Sequence, residues 1–459
     1  MQNEKEKLYN LAYIDKITKL GNYNYFLEKG NFILKDENQN IYVIALDIDK
    51  FKSFNKKYGH DIGSKILYQI GRILSSNIKT EKKSIVCRLA NDMFGMIIVT
   101  DKNIQHVVDK ICKDLKKIQI NKSEYRVYIS IGIYKIQGDK DIIQALDKAL
   151  IAHNYAKGNY NIQYKIFNNQ MEENMIREHN IEIQMEKALE NEEFKVYYQP
   201  KISTKTNRMV GAEALVRWIK EDEIISPNIF IPVFEKNHFI IELDKYIFEK
   251  VCQDIQSWKQ VKNEKIPMIS VNISKENFYN EEFIKEYEKI AKKYNLKTEE
   301  IEIEITENVT MIENISIIKM IKRIKEAGFV ISIDDFGTGY SSLNMLQSMP
   351  IDIIKIDKTF IDKIDIKNKN NNMVDYIIYI AKKLGLKTVA EGVEAEEQVK
   401  YLKEIGCDML QGYYYSKPLK KKEFEHWGRT KLNKICSKGT DLINKKLNKH
   451  KNLKSADNT

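Results

Sequence analysis

The sequence predicts an α/β protein in two parts, an N-terminal α/β domain followed by a C-terminal (β/α)8 barrel. At 459 residues the chain is long enough for two or three domains with their own cores. In the C-terminal half, short apolar runs end again and again in a polar residue. Between most of them lie segments with helical apolar spacing, at 281–294, 314–327, 373–384 and 395–405. Strand, polar end and helix in repetition is the pattern of a barrel whose active site collects at the C-terminal mouth of its strands.

The N-terminal half opens with Leu11 to Asn22 ahead of a predicted helix. Ile41 to Leu46 reads as a buried strand ending in Asp47-Ile48-Asp49, and Asn55 with Tyr58 to Gly63 leads into another helix. Ile85–Leu89 meets Ile97–Val99 across Ala90-Asn91-Asp92-Met93-Phe94, which has the length of a hairpin turn. Tyr125–Ile133 reads as a strand and Asp141–Lys157 as a helix. This alternation resembles a GGDEF domain, the diguanylate cyclase fold, over residues 1–168.

The family's signature turn, Gly-Gly-Asp/Glu-Glu-Phe, is altered. Ala90 and Asn91 put side chains where glycine lets backbone approach a triphosphate. Met93 stands at the glutamate position, and a thioether can neither act as a base nor hold a hard cation. The resemblance also implies that Ser64 replaces a guanine-contacting Asp and that Glu81 and Ser84 replace the Arg-x-x-Asp product site. What the family pattern leaves is a candidate cation pair, Asp47 and Asp92, with Asn55 for guanine and Lys157 for phosphate. A GTP-sensing role and a silent scaffold stand as equal alternatives, and cyclase activity is not expected. Residues 169–190 read as a helical connector, charged and free of Gly and Pro over Met171–Glu190.

In the barrel half, Met209–Ala212 ends in Glu213, Met268–Val271 in Asn272 and Ile301–Ile303 in Glu304. Val330–Ile333 ends in Asp334-Asp335, followed by a turn through Phe336, Gly337, Thr338 and Gly339. Ile351–Ile354 ends in Lys355 with Asp357 two residues on, Lys387–Ala390 in Glu391, and Cys407–Leu410 in Gln411. Adjacent carboxylates at a strand end repel each other unless a cation or a shared proton compensates. Singly, each of these residues reads as a solvated loop carboxylate, a surface lysine or a helix cap. Their recurrence at seven strand ends favours a common site. Glu302, on the same face as Glu304, is left out of it.

Over residues 181–425 this half resembles the EAL family of cyclic di-GMP phosphodiesterases. The motifs are Tyr197-Tyr198-Gln199-Pro200, Glu213-Ala214-Leu215-Val216-Arg217-Trp218, Val271-Asn272-Ile273-Ser274, Glu304-Ile305-Thr306-Glu307, Asp334–Leu343, Lys355-Ile356-Asp357, Ala390-Glu391-Gly392-Val393-Glu394 and Gln411-Gly412-Tyr413. Asn308 departs from the family's usual Ser, a mild change. The resemblance implies metal-assisted hydrolysis of cyclic di-GMP to pGpG, with two Mg²⁺ or Mn²⁺ ions about 3.5–4 Å apart. Glu213, Asn272, Glu304 and Asp334 would hold one ion, and Asp334, Asp335 and Glu391 the other, with Glu391 alternatively the general base. Hard oxygen ligands without Cys or His favour these ions over Zn²⁺. Lys355 would orient water or offset carboxylate repulsion. Arg217, Leu215, Gln199, Asp357 and Gln411 would bind substrate. Glu307, with Gly337 and Thr338, would hold the loop that aims the two aspartates. A homodimer through the barrel is implied as well. The alternative is a receptor that binds cyclic di-GMP without cleaving it and acts through a protein partner.

Composition narrows the rest. Five scattered cysteines without a Cys-x-x-Cys pair point to reduced thiols and a cytoplasmic protein. No apolar run approaches the ~18 residues of a membrane span. The formal charge of +10 looks like a nucleic-acid signature, yet Lys420–Thr459 alone holds twelve Lys/Arg against four Asp/Glu. Residues 426–459 therefore read as a solvated basic tail, and no nucleic-acid partner is expected. No sensor domain is expected ahead of residue 8.

Overall fold

The computed structural model describes residues 2–35, 39–79, 83–120, 123–139, 141–158, 163–261, 267–307, 315–337, 346–347, 349–365 and 372–430. Glu81, Asn308, Thr338 and the tail beyond residue 430 lie outside the described residues. The chain divides into two compact units, Met1–His179 and Asn180–Thr459. Their boundary falls inside one helix, Asn169–Glu190. No described helix is long and apolar enough to cross a membrane.

The first unit is built on a five-stranded sheet. Ile41–Ile48 lies at its centre, antiparallel to Met93–Val99 on one side and to Ile129–Lys135 on the other. The hairpin turn is tighter than the sequence predicts, because Ala90 pairs directly with Met93 and only Asn91 and Asp92 remain in the turn. Asn91 takes the left-handed conformation, φ 45°, that such a tight reversal needs. The predicted Tyr125–Ile133 strand is two pieces. Ser123–Arg126 pairs with Lys117–Ile120 in a separate ribbon, while Ile129–Lys135 joins the main sheet. Helix Ile142–Ala156, capped by the Asp141 side chain, lies on that sheet. It approaches so closely that a Cβ on Gly132 would sit 2.0 Å from the Ala149 carbonyl oxygen.

The second unit is a closed eight-strand barrel, in order Phe194–Ser203, Met209–Lys220, Met268–Asn272, Ile301–Thr306, Val330–Phe336, Ile353–Ile356, Lys387–Ala390 and Met409–Leu410. It departs from an all-parallel barrel in its first strand, which runs antiparallel to both neighbours. Strand alternation sorts the side chains. Ile301, Ile303 and Ile305 point outward into the main core with the surrounding helices. Inside, Met268, Val330, Ile353, Val389 and Met409 form a separate apolar plug. Two residues further along each strand the interior turns polar, through Ser270, Glu302 and Ser332. The expected start of the tail is still folded, since residues 421–430 are helical and Phe424 packs on Tyr198 and Trp258.

Candidate active site

The strand ends of the barrel bring the predicted residues together. Glu213, 5 % exposed, is held by two amides: Asn272 Nδ2 donates to its Oε1 at 2.9 Å and Gln411 Nε2 to its Oε2 at 2.6 Å. Gln411 also donates to Gln199 Oε1 at 3.1 Å, so four strands meet in one polar chain. Lys355, fully buried, stands in the middle. Its ammonium lies 2.6 Å from Glu304 Oε2, 2.9 Å from Asp334 Oδ1, 2.8 Å from Glu391 Oε1 and 3.5 Å from Glu213 Oε2. Two groups of carboxylates have oxygens close enough to share a cation: Glu213 with Glu304 and Asp334, and Asp334 with Asp335 and Glu391. Asp334 belongs to both.

The electrostatics follow from this crowding. Burial first, then the Glu304 charge, pushes the Glu213 carboxyl up to about 7. Glu391 is driven well above the usual carboxylate range, chiefly by burial and against the pull of Lys355. Asp335 reaches solvent, yet the atoms packed around it and the charge of Asp334 raise it to about 6. Glu304 goes the other way. Burial favours its neutral form, but Lys201 and Lys355 together hold it well below the ordinary range. Oxygen-rich, dehydrated and strongly repelling, the cluster has the chemistry of a site for hard divalent cations.

The loop after the fifth strand is aimed by backbone. Asp335 adopts φ 53° and Gly337 φ 99°. The Gly337 amide donates to Glu307 Oε2 at 2.8 Å. Asp357 lies at the same rim, with one oxygen capping the short Lys358–Ile361 helix. Arg217 donates to the Val216 carbonyl at 2.7 Å and lies over the Tyr197 ring. Beside it a cavity of about 220 Å³, walled by Leu215, Ile231, Ile240 and Leu243, opens next to Asn272.

Two residues beneath the mouth have no place in the sequence-based site. Lys201 and Glu302 are buried and paired at 3.0 Å, and Lys201 also reaches Glu304 at 2.8 Å. The available signal was periodicity: Lys201 follows Gln199 by two residues, as Glu302 precedes Glu304.

In the first unit the expected cation pair is not open. Asp47 Oδ2 accepts from Lys157 at 2.5 Å, and Oδ1 lies 3.0 Å from Nε2 of the buried His153. Lys157, read as a phosphate contact, is spent on Asp47, and His153 carries no family signal. Burial and the Asp47 charge raise the Asp92 carboxyl. Asn55, Ser64, Arg88, Asn91 and Asp92 line a cavity of about 460 Å³. Among the described residues this unit has no cluster of three potential metal ligands.

Known proteins resemble this chain in sequence and in fold. Residues 182–418 match the EAL domain model, and residues 12–160 match the model for the GGDEF diguanylate cyclase domain. The signaling protein YkoW of Bacillus subtilis is 33 % identical over 435 residues, 92 % of this chain and 54 % of YkoW. The bifunctional diguanylate cyclase/cyclic di-GMP phosphodiesterase MucR of Pseudomonas aeruginosa is 28 % identical, over 90 % of this chain and 61 % of MucR. The chain thus spans little more than half the length of these relatives. The solved structure of the PaMucR phosphodiesterase in complex with c-di-GMP aligns with a TM-score of 0.51 at 30 % identity, covering 53 % of this chain and 99 % of that one.

Proposed function

The chain belongs to the EAL domain family, with a GGDEF domain ahead of the barrel, and from that membership we propose that it hydrolyses cyclic di-GMP to linear pGpG with two divalent cations, Mg²⁺ or Mn²⁺. The observation that carries the reading is the pair of oxygen clusters sharing Asp334 around one buried lysine. Glu213, Asn272, Glu304 and Asp334 would hold one ion, and Asp334, Asp335 and Glu391 the other. Bound there, the ions supply charge neutralisation on the phosphoryl oxygens and acidify a water.

The chain's own groups do the rest. Lys355 keeps four mutually repelling carboxylates within reach of one another and can orient the attacking water. Glu391, more basic than an ordinary carboxylate, is the alternative general base: in that role it would take the water's proton and not hold the second ion. Arg217 is placed to bind a phosphate, and the apolar cavity behind Leu215 suits a flat base. Gln199, Gln411 and Asp357 would give the remaining polar contacts at the rim. Glu307, through the Gly337 amide, holds the loop that aims Asp334 and Asp335. A homodimer through the barrel belongs to the same proposal, and the exposed face of helix Met373–Lys383, with Met373, Tyr376 and Tyr379, supports it.

The first unit is proposed to bind GTP as a regulator and not to cyclise it. Met93 removes one cation ligand, and Lys157 and His153 engage both oxygens of the other.

The test is incubation of the purified chain with cyclic di-GMP and Mg²⁺ or Mn²⁺, followed by chromatography. Release of pGpG, lost in Glu213→Gln, is expected. Intact ligand at every metal concentration would overturn the proposal in favour of a non-hydrolysing receptor. Incubation with GTP should give no cyclic di-GMP.

A further inference from the structure

Below the two oxygen clusters the barrel interior carries a second tier of charge. Lys201, 1 % exposed, comes from the antiparallel first strand. Its ammonium reaches across the barrel interior and donates to three groups on the third and fourth strands: Ser270 Oγ at 2.8 Å, Glu302 Oε1 at 3.0 Å and Glu304 Oε1 at 2.8 Å. Glu304 is therefore gripped from both sides, Oε1 by Lys201 and Oε2 by Lys355 at 2.6 Å. Glu302 leaves its other oxygen, Oε2, without a hydrogen-bond partner among the described residues.

Charge makes the tier more than packing. The mouth and the tier beneath it together hold six carboxylates, Glu213, Glu302, Glu304, Asp334, Asp335 and Glu391, against two lysines, Lys201 and Lys355. Without Lys201, Glu304 Oε1 would lose the partner that holds it from below.

We propose that Lys201 is a positioning residue for the metal centre, acting directly on Glu304, while Glu302 supplies a buried counter-charge on which that positioning does not depend. This rests on the reading of the mouth as a two-cation site. Lys201 touches neither substrate nor cation in this role. It fixes which way one oxygen of Glu304 faces, and leaves the other to be shared between Lys355 and the first ion.

The experiment counts Mn²⁺ by electron paramagnetic resonance on the full chain, alongside kcat and KM for cyclic di-GMP. The wild type should bind two ions; if it binds none, the two-cation reading itself fails. Lys201→Met/Glu302→Gln removes the buried pair without leaving a bare charge from it. It should melt close to the wild type, bind Mn²⁺ at least tenfold more weakly, and lose kcat with KM little changed. Glu302→Gln alone keeps Lys201 on Glu304, and its Mn²⁺ affinity should stay within about threefold. Wild-type Mn²⁺ affinity in the double variant would overturn the inference while leaving the two-cation reading intact. Should the double variant not fold, Lys201→Gln with Glu302 intact decides by the same readout: a tenfold loss of Mn²⁺ affinity supports the inference, and wild-type affinity overturns it.

Discussion

Burial and neighbouring charge push the Glu213 carboxyl up to about 7 and that of Asp335 to about 6. A carboxylate must be ionised to hold a hard cation well, so on the two-cation proposal each ion would displace protons when it binds. Mn²⁺ affinity should therefore weaken as pH falls from 8 to 5.5, most steeply between 7 and 6. Calorimetry in buffers of different ionisation enthalpy should show proton release; an affinity flat across that range would mean the carboxylates are already ionised. Asp244 offers a separate check away from the ions. It is buried and accepts from the Ser274 amide and Asn277 Nδ2, both at 2.8 Å, yet burial still pushes it up to about 7. An acid raised in the fold binds a proton that the unfolded chain has already released between about pH 4 and 7. Its contribution is greatest at low pH and declines by about 1.4 kcal/mol per pH unit across that window. Melting curves of wild type and Asp244→Asn between pH 5 and 8 should show a shallower fall in the variant, since the amide oxygen keeps the Ser274 bond and carries no charge.

At the scale of one element, the turn after the fifth barrel strand decides where two aspartates point. Gly337 sits at φ 99°, and a Cβ there would lie 2.5 Å from the Phe360 ring. Gly337→Ala meets both backbone strain and a collision, and should cost on the order of 1–2 kcal/mol. Its larger effect should be on the site: kcat falling tenfold or more, with Mn²⁺ retained in the Glu213 cluster but lost from the one containing Asp335. A variant that melts lower yet turns over normally would show that the turn does not aim these residues. This turn was legible because Asp334-Asp335 followed by glycine needs an unusual backbone at a strand's end. The strand ends as a group were legible for a similar reason, since a parallel barrel puts its chemistry where apolar runs stop. Glu302 was not, because nothing near it in the chain supplies a counter-charge; Lys201 does, from about a hundred residues earlier. That strand hides its own role, since Lys201 follows Tyr197-Tyr198-Gln199-Pro200 with no apolar run ending at it, and the strand's direction is reversed. His153 escaped for the same reason, as its contact with Asp47 crosses from helix to strand. The hairpin at Asn91-Asp92 is shorter than the run of altered motif residues suggests, because Met93 and Phe94 pair into the sheet.

At the scale of the whole molecule, one helix belongs to both units. Asn169–Glu190 is a single 22-residue element crossing the boundary at His179 and Asn180, roughly 33 Å long at 1.5 Å per residue. A helix of this length without glycine or proline passes rotation and bending from one end to the other, where a flexible linker would dissipate them. If the cavity lined by Asn55 and Ser64 takes GTP, we expect the occupied first unit to act on hydrolysis through this helix. A titration of the cyclic di-GMP hydrolysis rate against GTP should then change kcat/KM severalfold, with no consumption of GTP. Asn180→Pro places a helix breaker at an exposed position in the middle of the element, at a local cost of about 3 kcal/mol. It should leave hydrolysis without GTP unchanged and abolish the GTP response. An undiminished response in the proline variant would show that the signal does not travel along the helix. A wild type indifferent to GTP would leave the first unit as a scaffold.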